Sequence, residues 1–429
     1  MLILMIVALL VLLFTGIPVA VAIGLPSLVY VMMTETIPDF TAIQRMVAGA
    51  NAYALLAIPF FIFAGNLMNE SGVTNRIFGF ANKLVGHVRG GLGHVNVVAS
   101  IIFAGMSGAA IADAGGLGAI EIKAMREANY PDSMTIGVTA ASSTIGPIIP
   151  PSMVAVIYAV VANTSIGRLF AAGIIPGLIM GLSLMLLIWA RAGKHKVPTS
   201  PQASFGEIAR SFGWTFWALL TPGIILGGIF FGAFTPTEAA AIASLYAILL
   251  GFVIYRDMDF AGFVRAVRST VQTTVQIMFI VASATLFAWI LAREQVPQMV
   301  AAFMLNRIDN YYLIFFAINI LLILVGAFME TVASINILVP VFLPIMAALG
   351  IDPVHFGVVM MINLMIGVLT PPFGSVLFVL SSVAELPVER VAKYTFMYLF
   401  PLAIVLILLV LFPAISLWLP NLIFGVGGV

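Results

Sequence analysis

Gly146-Pro147-Ile148-Ile149-Pro150-Pro151 interrupts an apolar run, about 134–165, that is otherwise long enough to cross a membrane. Proline removes a backbone donor and collides with the preceding helical turn. Two prolines in succession, after a glycine, predict an unwound segment in the middle of that run. Carbonyls released at this depth cannot face lipid and must face protein or a polar cavity. The same spacing recurs in Gly367-Val368-Leu369-Thr370-Pro371-Pro372, inside a second run at about 354–384. One such break reads most simply as a kink whose carbonyls are satisfied by neighbouring helices. Two at matched positions point further, to oxygen ligands for a small hard cation.

The surrounding composition sets the solvent. Of 429 residues, 62% are hydrophobic and 8% charged, where a soluble chain carries about a quarter charged residues. Long unbroken runs at 178–190 and 402–411 predict helices rather than the alternating strands of a barrel. The chain has no cysteine, which excludes disulfides and thiolate metal sites, and its four histidines show no ligand spacing. A net charge of +1 speaks against a nucleic-acid surface. The first apolar run lacks a basic n-region and a cleavage site, so it is expected to be mature protein. There is no Walker motif and no hydrolase signature, so neither ATP use nor an enzyme is expected.

The recurrence extends beyond the breaks. Phe14-Thr15 matches Phe234-Thr235, and Asp39-Phe40 with Arg45 matches Asp259-Phe260 with Arg265, at an offset of 220. Gly105 matches Gly326 and Met125 matches Met346 at the offset of 221 that relates the two breaks. A steady offset predicts two repeats, 1–213 and 214–429.

Crossing segments are expected at about 50–70, 134–165, 168–190, 214–232, 237–255, 270–291, 354–384 and 389–417. The stretches at about 94–128 and 312–349 differ. Each is apolar at both ends and interrupted by small and polar residues, Ser107-Gly-Ala-Ala-Ile-Ala-Asp113 in one and Gly326-Ala-Phe-Met-Glu330-Thr331 in the other. Both read as re-entrant hairpins. Counted so, the basic clusters around Arg76, Lys123, Arg191, Arg256 and Arg390 share one side, and Arg45, Arg168, Arg293 and Arg307 lie opposite. The rich side is expected to be cytoplasmic. An odd number of crossings separates the hairpins, so the repeats are expected to be inverted, the usual basis of alternating access. The topology of 2–33 is left open.

The hairpin tips hold the candidate chemistry. Ser107 offers a hydroxyl oxygen, though the small run after it also suits helix packing. Asp113 is a candidate ion or proton carrier, or a cap of the second arm. Glu330 and Thr331 occupy the matching tip; a buried glutamate is costly unless paired or protonated. Arg293 is a candidate partner for a substrate carboxylate, or an anchor of a helix end. Thr235-Pro236-Thr237-Glu238 reads as a helix start at a buried position.

The two proline breaks, the Ser107–Asp113 run and Thr235-Pro-Thr-Glu-Ala-Ala-Ala241 together resemble the large membrane subunit of tripartite ATP-independent periplasmic (TRAP) transporters, over essentially the whole chain. The resemblance implies an all-α polytopic fold of two inverted repeats, each with a hairpin and a broken helix, working as an elevator. It implies sodium as coupling ion, no organic cofactor, and residence in a bacterial or archaeal inner membrane. It implies a small four-helix membrane subunit, a periplasmic substrate-binding protein and a carboxylate substrate. One sodium site would use Ser107 and the Gly146–Pro151 backbone, the other Gly326, Gly367, Thr370 and Pro372. Arg293 matches a family arginine on the anion path. Ala109 stands where members of that family often carry a serine. Other expectations are an autonomous sodium- or proton-coupled dicarboxylate symporter, and a non-transporting scaffold or receptor, which would not need paired breaks.

Overall fold

A computed structural model describes residues 1–38, 40–195, 197–307 and 310–425, without the side chains of Ser107, Lys194, His195, Leu305, Arg307 and Tyr311. Among the described residues the chain is helical and contains no strand. Among the described residues, seven helices are long and apolar enough to cross a membrane: Tyr53–Glu70, Ile166–Gly193, Phe205–Phe230, Pro236–Ile254, Phe260–Arg293, Thr331–Ala348 and Val388–Leu411. All but Thr331–Ala348 coincide with expected spans.

The two other expected spans are each split. Asp132–Ser143 is followed by an unwound segment and Met153–Val161; Pro353–Gly367 is followed by one and Ser375–Ala384. Pro150–Pro151 and Pro371–Pro372 are both cis. The split helices form the centre. Every residue from Met134 to Ser143 is buried, as is every residue from Val354 to Gly367, and a helix buried all round belongs to an interior. Phe205–Phe230 instead exposes Phe212, Trp214, Phe216 and Trp217 at the periphery.

The interrupted stretches are helix pairs. Gly91–Ser107 turns at Gly108 into the short Ala110–Gly115 and then Leu117–Glu127; Tyr311–Phe328 turns at Met329 and Glu330 into Thr331–Ala348. Gly108 has φ +60°, a left-handed turn that glycine permits. Thr331–Ala348 runs unbroken past Pro340 and Pro344, which is why it also passes for a span.

The structure adds to these expectations and corrects some of them. The open segment 2–33 is two helices, Leu2–Phe14 and Val19–Met32. Phe40–Ala50, Val73–Val85 and Val296–Arg307 are further helices absent from the expected spans; each is too short and too mixed in polarity to read as a crossing. The helix expected over 270–291 is the 34-residue Phe260–Arg293, started by Asp259, whose carboxylate accepts from the Gly262 amide at 2.7 Å. Thr235 and Glu238 form a reciprocal capping box as expected, yet Glu238 is exposed rather than buried.

Ion pairs join loops that the charge pattern puts on one side. Arg76 pairs with Asp257 at 2.6 Å, Lys83 with Glu207 at 3.5 Å, and Arg265 with Glu70 at 2.7 Å. Arg126 pairs with Asp132 and donates to the Ala384 carbonyl at 2.9 Å. On the poor side, Arg168 donates to the Gly425 carbonyl and to Asn421, and Arg293 donates to Thr36 at 2.8 Å.

Candidate functional site

Each hairpin tip is pressed against one proline break, and glycine makes the approach possible. In the first half, a methyl group on Gly108 would lie 2.7 Å from the Pro151 carbonyl oxygen and 3.2 Å from the Met153 nitrogen. One on Gly146 would lie 3.9 Å from both the Ala109 nitrogen and an Asp113 carboxylate oxygen. The structure therefore brings Gly146, Pro151 and Asp113 together around the first tip. The Ser107 side chain lies outside the described residues.

In the second half the contact is closer still. A methyl group on Gly367 would lie 2.6 Å from the Gly326 Cα, and the Phe373 amide donates to the Ala327 carbonyl at 3.2 Å. Gly326 and Gly367 are thus in backbone contact, with Thr370 one turn on. The Thr370 hydroxyl donates to the Ile366 carbonyl at 2.8 Å, which leaves its oxygen able to accept or ligate. Pro372 follows, exposed.

The carboxylates behave unequally. Asp113 does not cap its arm: the cap position is Ala109, without a side-chain bond. Both Asp113 oxygens are buried and without a hydrogen-bond partner among the described residues, as are Ser100 Oγ and Glu121 Oε1. Such groups are costly unless an ion, proton or water compensates them. Glu330 does cap, accepting from the amides of Val332 at 2.9 Å and Ala333 at 3.3 Å.

Three features escaped the sequence reading. Ser152 ties the first break together, accepting from the Ala155 amide at 3.1 Å and donating to the Pro147 carbonyl at 2.5 Å. That carbonyl is therefore already engaged. Asn96 bridges its arm to the broken helix through Thr139 at 2.8 Å and Ser142 at 2.6 Å. Asn363 does the same in the second half through Asn319, at 2.6 Å. The available signal was asparagine inside apolar runs.

Between the tips lies a cavity of 510 Å³. Ala109–Ala112 of the first tip line it, with Glu330 and Thr331 of the second. Its other wall comes from Ala57–Glu70, through Ile62, Gly65, Asn66 and Asn69, and from Phe260–Arg293, through Ser269, Thr273 and Gln276. Arg293 is not brought here. It lies on the order of 25 Å beyond Gln276 along the same helix, with its guanidinium 5.8 Å from the Trp289 ring centre.

The comparisons agree with this architecture. Residues 6–415 match the family model described as the tripartite ATP-independent periplasmic transporter, DctM component. The chain is 49% identical, over 97% of both proteins, to the sialic acid TRAP transporter large permease protein SiaM of Vibrio cholerae. It is 42% identical, over 86% of both, to the C4-dicarboxylate TRAP transporter large permease protein DctM of Pseudomonas aeruginosa. The crystal structure of the Alcanivorax borkumensis YdaH transporter has the same fold, with a TM-score of 0.62 at 15% identity, over 89% of this chain and 88% of that one. On sequence the chain belongs to the DctM family, the large permease components of tripartite ATP-independent periplasmic transporters, which are transport proteins and not enzymes.

Proposed function

We propose that the chain is the transport subunit of a sodium-coupled importer that carries an organic acid delivered by a periplasmic binding protein. It acts in an inner membrane beside a small membrane subunit. The observation that carries this reading is the single cavity shared by two hairpin tips, each tip packed on a proline break. Element bounds in the two halves support a repeat; its inversion follows from the odd number of crossings expected between the hairpins. Ala110 begins the second arm of one hairpin and Thr331 that of the other; Asp132 and Pro353 begin the two broken helices. Each pair keeps the offset of 221.

In this reading Gly146, Pro151 and Asp113 border one sodium site, with Ser107 at the adjoining tip. Gly326, Gly367, Thr370 and Pro372 border the other. Oxygen donors of this kind suit a hard monovalent ion, which travels as cargo with the substrate. The tips and broken helices move together as an elevator against the helices Ala57–Glu70 and Phe260–Arg293. The cavity lies toward the basic-rich end of the latter helix, which supports an inward-facing state, and Arg293 serves the substrate at the opposite end of the path. The likeness to SiaM favours a sialic acid or related sugar acid as substrate.

The test needs no substrate. Melting temperatures of the purified permease are compared in sodium, potassium and choline salts at equal ionic strength. A ligand specific for the folded state stabilises it by about 2.7 kcal/mol at one hundred times its Kd. A sodium-specific rise that Thr370→Ala or Ser107→Ala removes is the expected result. Equal melting in all three salts overturns sodium coupling and leaves Asp113 and Glu330 as proton carriers. Transport by this chain without partners would favour an autonomous symporter.

A further inference from the structure

Ser269, Thr273, Gln276 and Ile280 all line the cavity. Their spacing of four, three and four residues places them on one face of Phe260–Arg293, along roughly 16 Å of its length. Among the described residues, Ser269, Thr273 and Gln276 make no side-chain hydrogen bond within the chain, whereas the neighbouring Thr270 accepts from Asn66 at 3.0 Å and donates to the Ala266 carbonyl at 2.7 Å. Asn69 stands across the cavity, against Gly116 of the first hairpin, and its amide nitrogen donates to no group among the described residues. Polar groups at this depth carry a cost unless water or a ligand meets them.

The charge of the wall is equally informative. Among the described residues, no lysine or arginine lines the cavity and the one ionisable residue that does is Glu330, whose carboxylate already accepts from two amides. This wall offers hydroxyl and amide groups and no counter-charge. A C4-dicarboxylate has two charges and little else for it to bind. A polyhydroxylated monocarboxylate presents its one charge at one end and several hydroxyl or amide groups along the rest.

We infer that Ser269, Thr273 and Gln276 form a hydroxyl-reading face that gives this permease its own selectivity for polyhydroxylated monocarboxylic acids over C4-dicarboxylates. The inference rests on the transport reading above. The acid's carboxylate is turned toward the hairpin tips, where the co-transported cation neutralises it, and the hydroxylated portion lies along the scaffold helix. A neutral face of this kind holds the substrate by several weak bonds that water can replace, which suits release.

The purified permease, in saturating sodium, is titrated with N-acetylneuraminate and separately with succinate, and the melting shift gives each half-saturation. Wild type is expected to respond to N-acetylneuraminate at a concentration at least about tenfold lower than to succinate. Thr273→Val and Gln276→Leu each raise the N-acetylneuraminate half-saturation about fivefold, the equivalent of one lost hydrogen bond. Thr273→Ser, which keeps the hydroxyl, stays close to wild type. All variants keep the sodium-dependent shift, which shows that they fold. If wild type binds the sugar acid and both variants bind it equally well, the hydroxyl-reading face is wrong while the carrier reading stands. A preference for succinate also overturns it. No response to sodium or to either acid overturns the transport reading itself.

Discussion

From Ile145 to Ser152 every residue of the first proline break is buried, whereas Pro371, Pro372 and Phe373 of the second are exposed. The first break is closed by polar bonds through Ser152 and by the helix Ile166–His195, where Gly173 leaves room for the Ile148 carbonyl. At the place of Ser152 the second break has Phe373. Its ring meets Phe328 at 5.9 Å and Phe14, from the first helix, at 6.3 Å. One motif thus ends buried behind polar bonds in one half and exposed beside an aromatic cluster in the other. What differs is not the break but the partners that the rest of the chain supplies. A recurring motif constrains the backbone, and the neighbours of each copy decide its access to solvent.

Substitutions at matched positions can break or sharpen this contrast. The largest effect is expected from Gly367→Ala, whose methyl group would meet rigid backbone; it should cost about 3 kcal/mol and appear as a large fall in melting temperature. Gly146→Ala, its counterpart, meets nothing nearer than 3.4 Å. Equal losses at the two glycines would erase the asymmetry. Ser152→Ala should cost about 2 kcal/mol, from a lost cap and a carbonyl left unpaired, while Phe373→Ala, half out of contact already, should cost about 1 kcal/mol. If Phe373→Ala proves the costlier, the aromatic cluster is the firmer closure. Glu330→Ala should cost about 1 kcal/mol as a lost cap, and Glu330→Gln, which keeps an acceptor, a few tenths; a large effect of Glu330→Gln on sodium-dependent melting would give the charge itself a role. The same melting curves, recorded with and without sodium, report all of these.

Much of the architecture was legible because lipid imposes simple rules. Apolar runs near 20 residues gave the spans, and Gly-x-x-x-Pro-Pro marked both broken helices in place. Thr235 and Glu238 announced their capping box by spacing alone, though not that Glu238 would face outward. Asp113 was read as an ion or proton carrier or as a cap of the second arm; the cap position is Ala109, which leaves the capping alternative unfilled. Arg293 was read as a partner for a substrate carboxylate or as an anchor of a helix end; the structure sets it at the helix end, beside Trp289 and Thr36. The cavity face of Ser269, Thr273 and Gln276 lay unnoticed inside an expected span. A sequence records that a helix carries polar residues; only packing records which of its faces is open. Ser152, Asn96 and Phe14 act across long separations, and no local pattern announces such partners.

The length of Phe260–Arg293 has a mechanical consequence. From Ser269 to Arg293 the helix measures roughly 36 Å, against a hydrocarbon layer about 30 Å thick. To keep this stretch within the layer it must lean by on the order of 35°, near the upper end of what spanning helices adopt. A leaning strut changes its angle when the layer thickens or thins, and the side chains it points into the cavity turn with it. Acyl-chain length thereby enters as a load on the strut, and substrate half-saturation in liposomes of graded chain length is where that load would register.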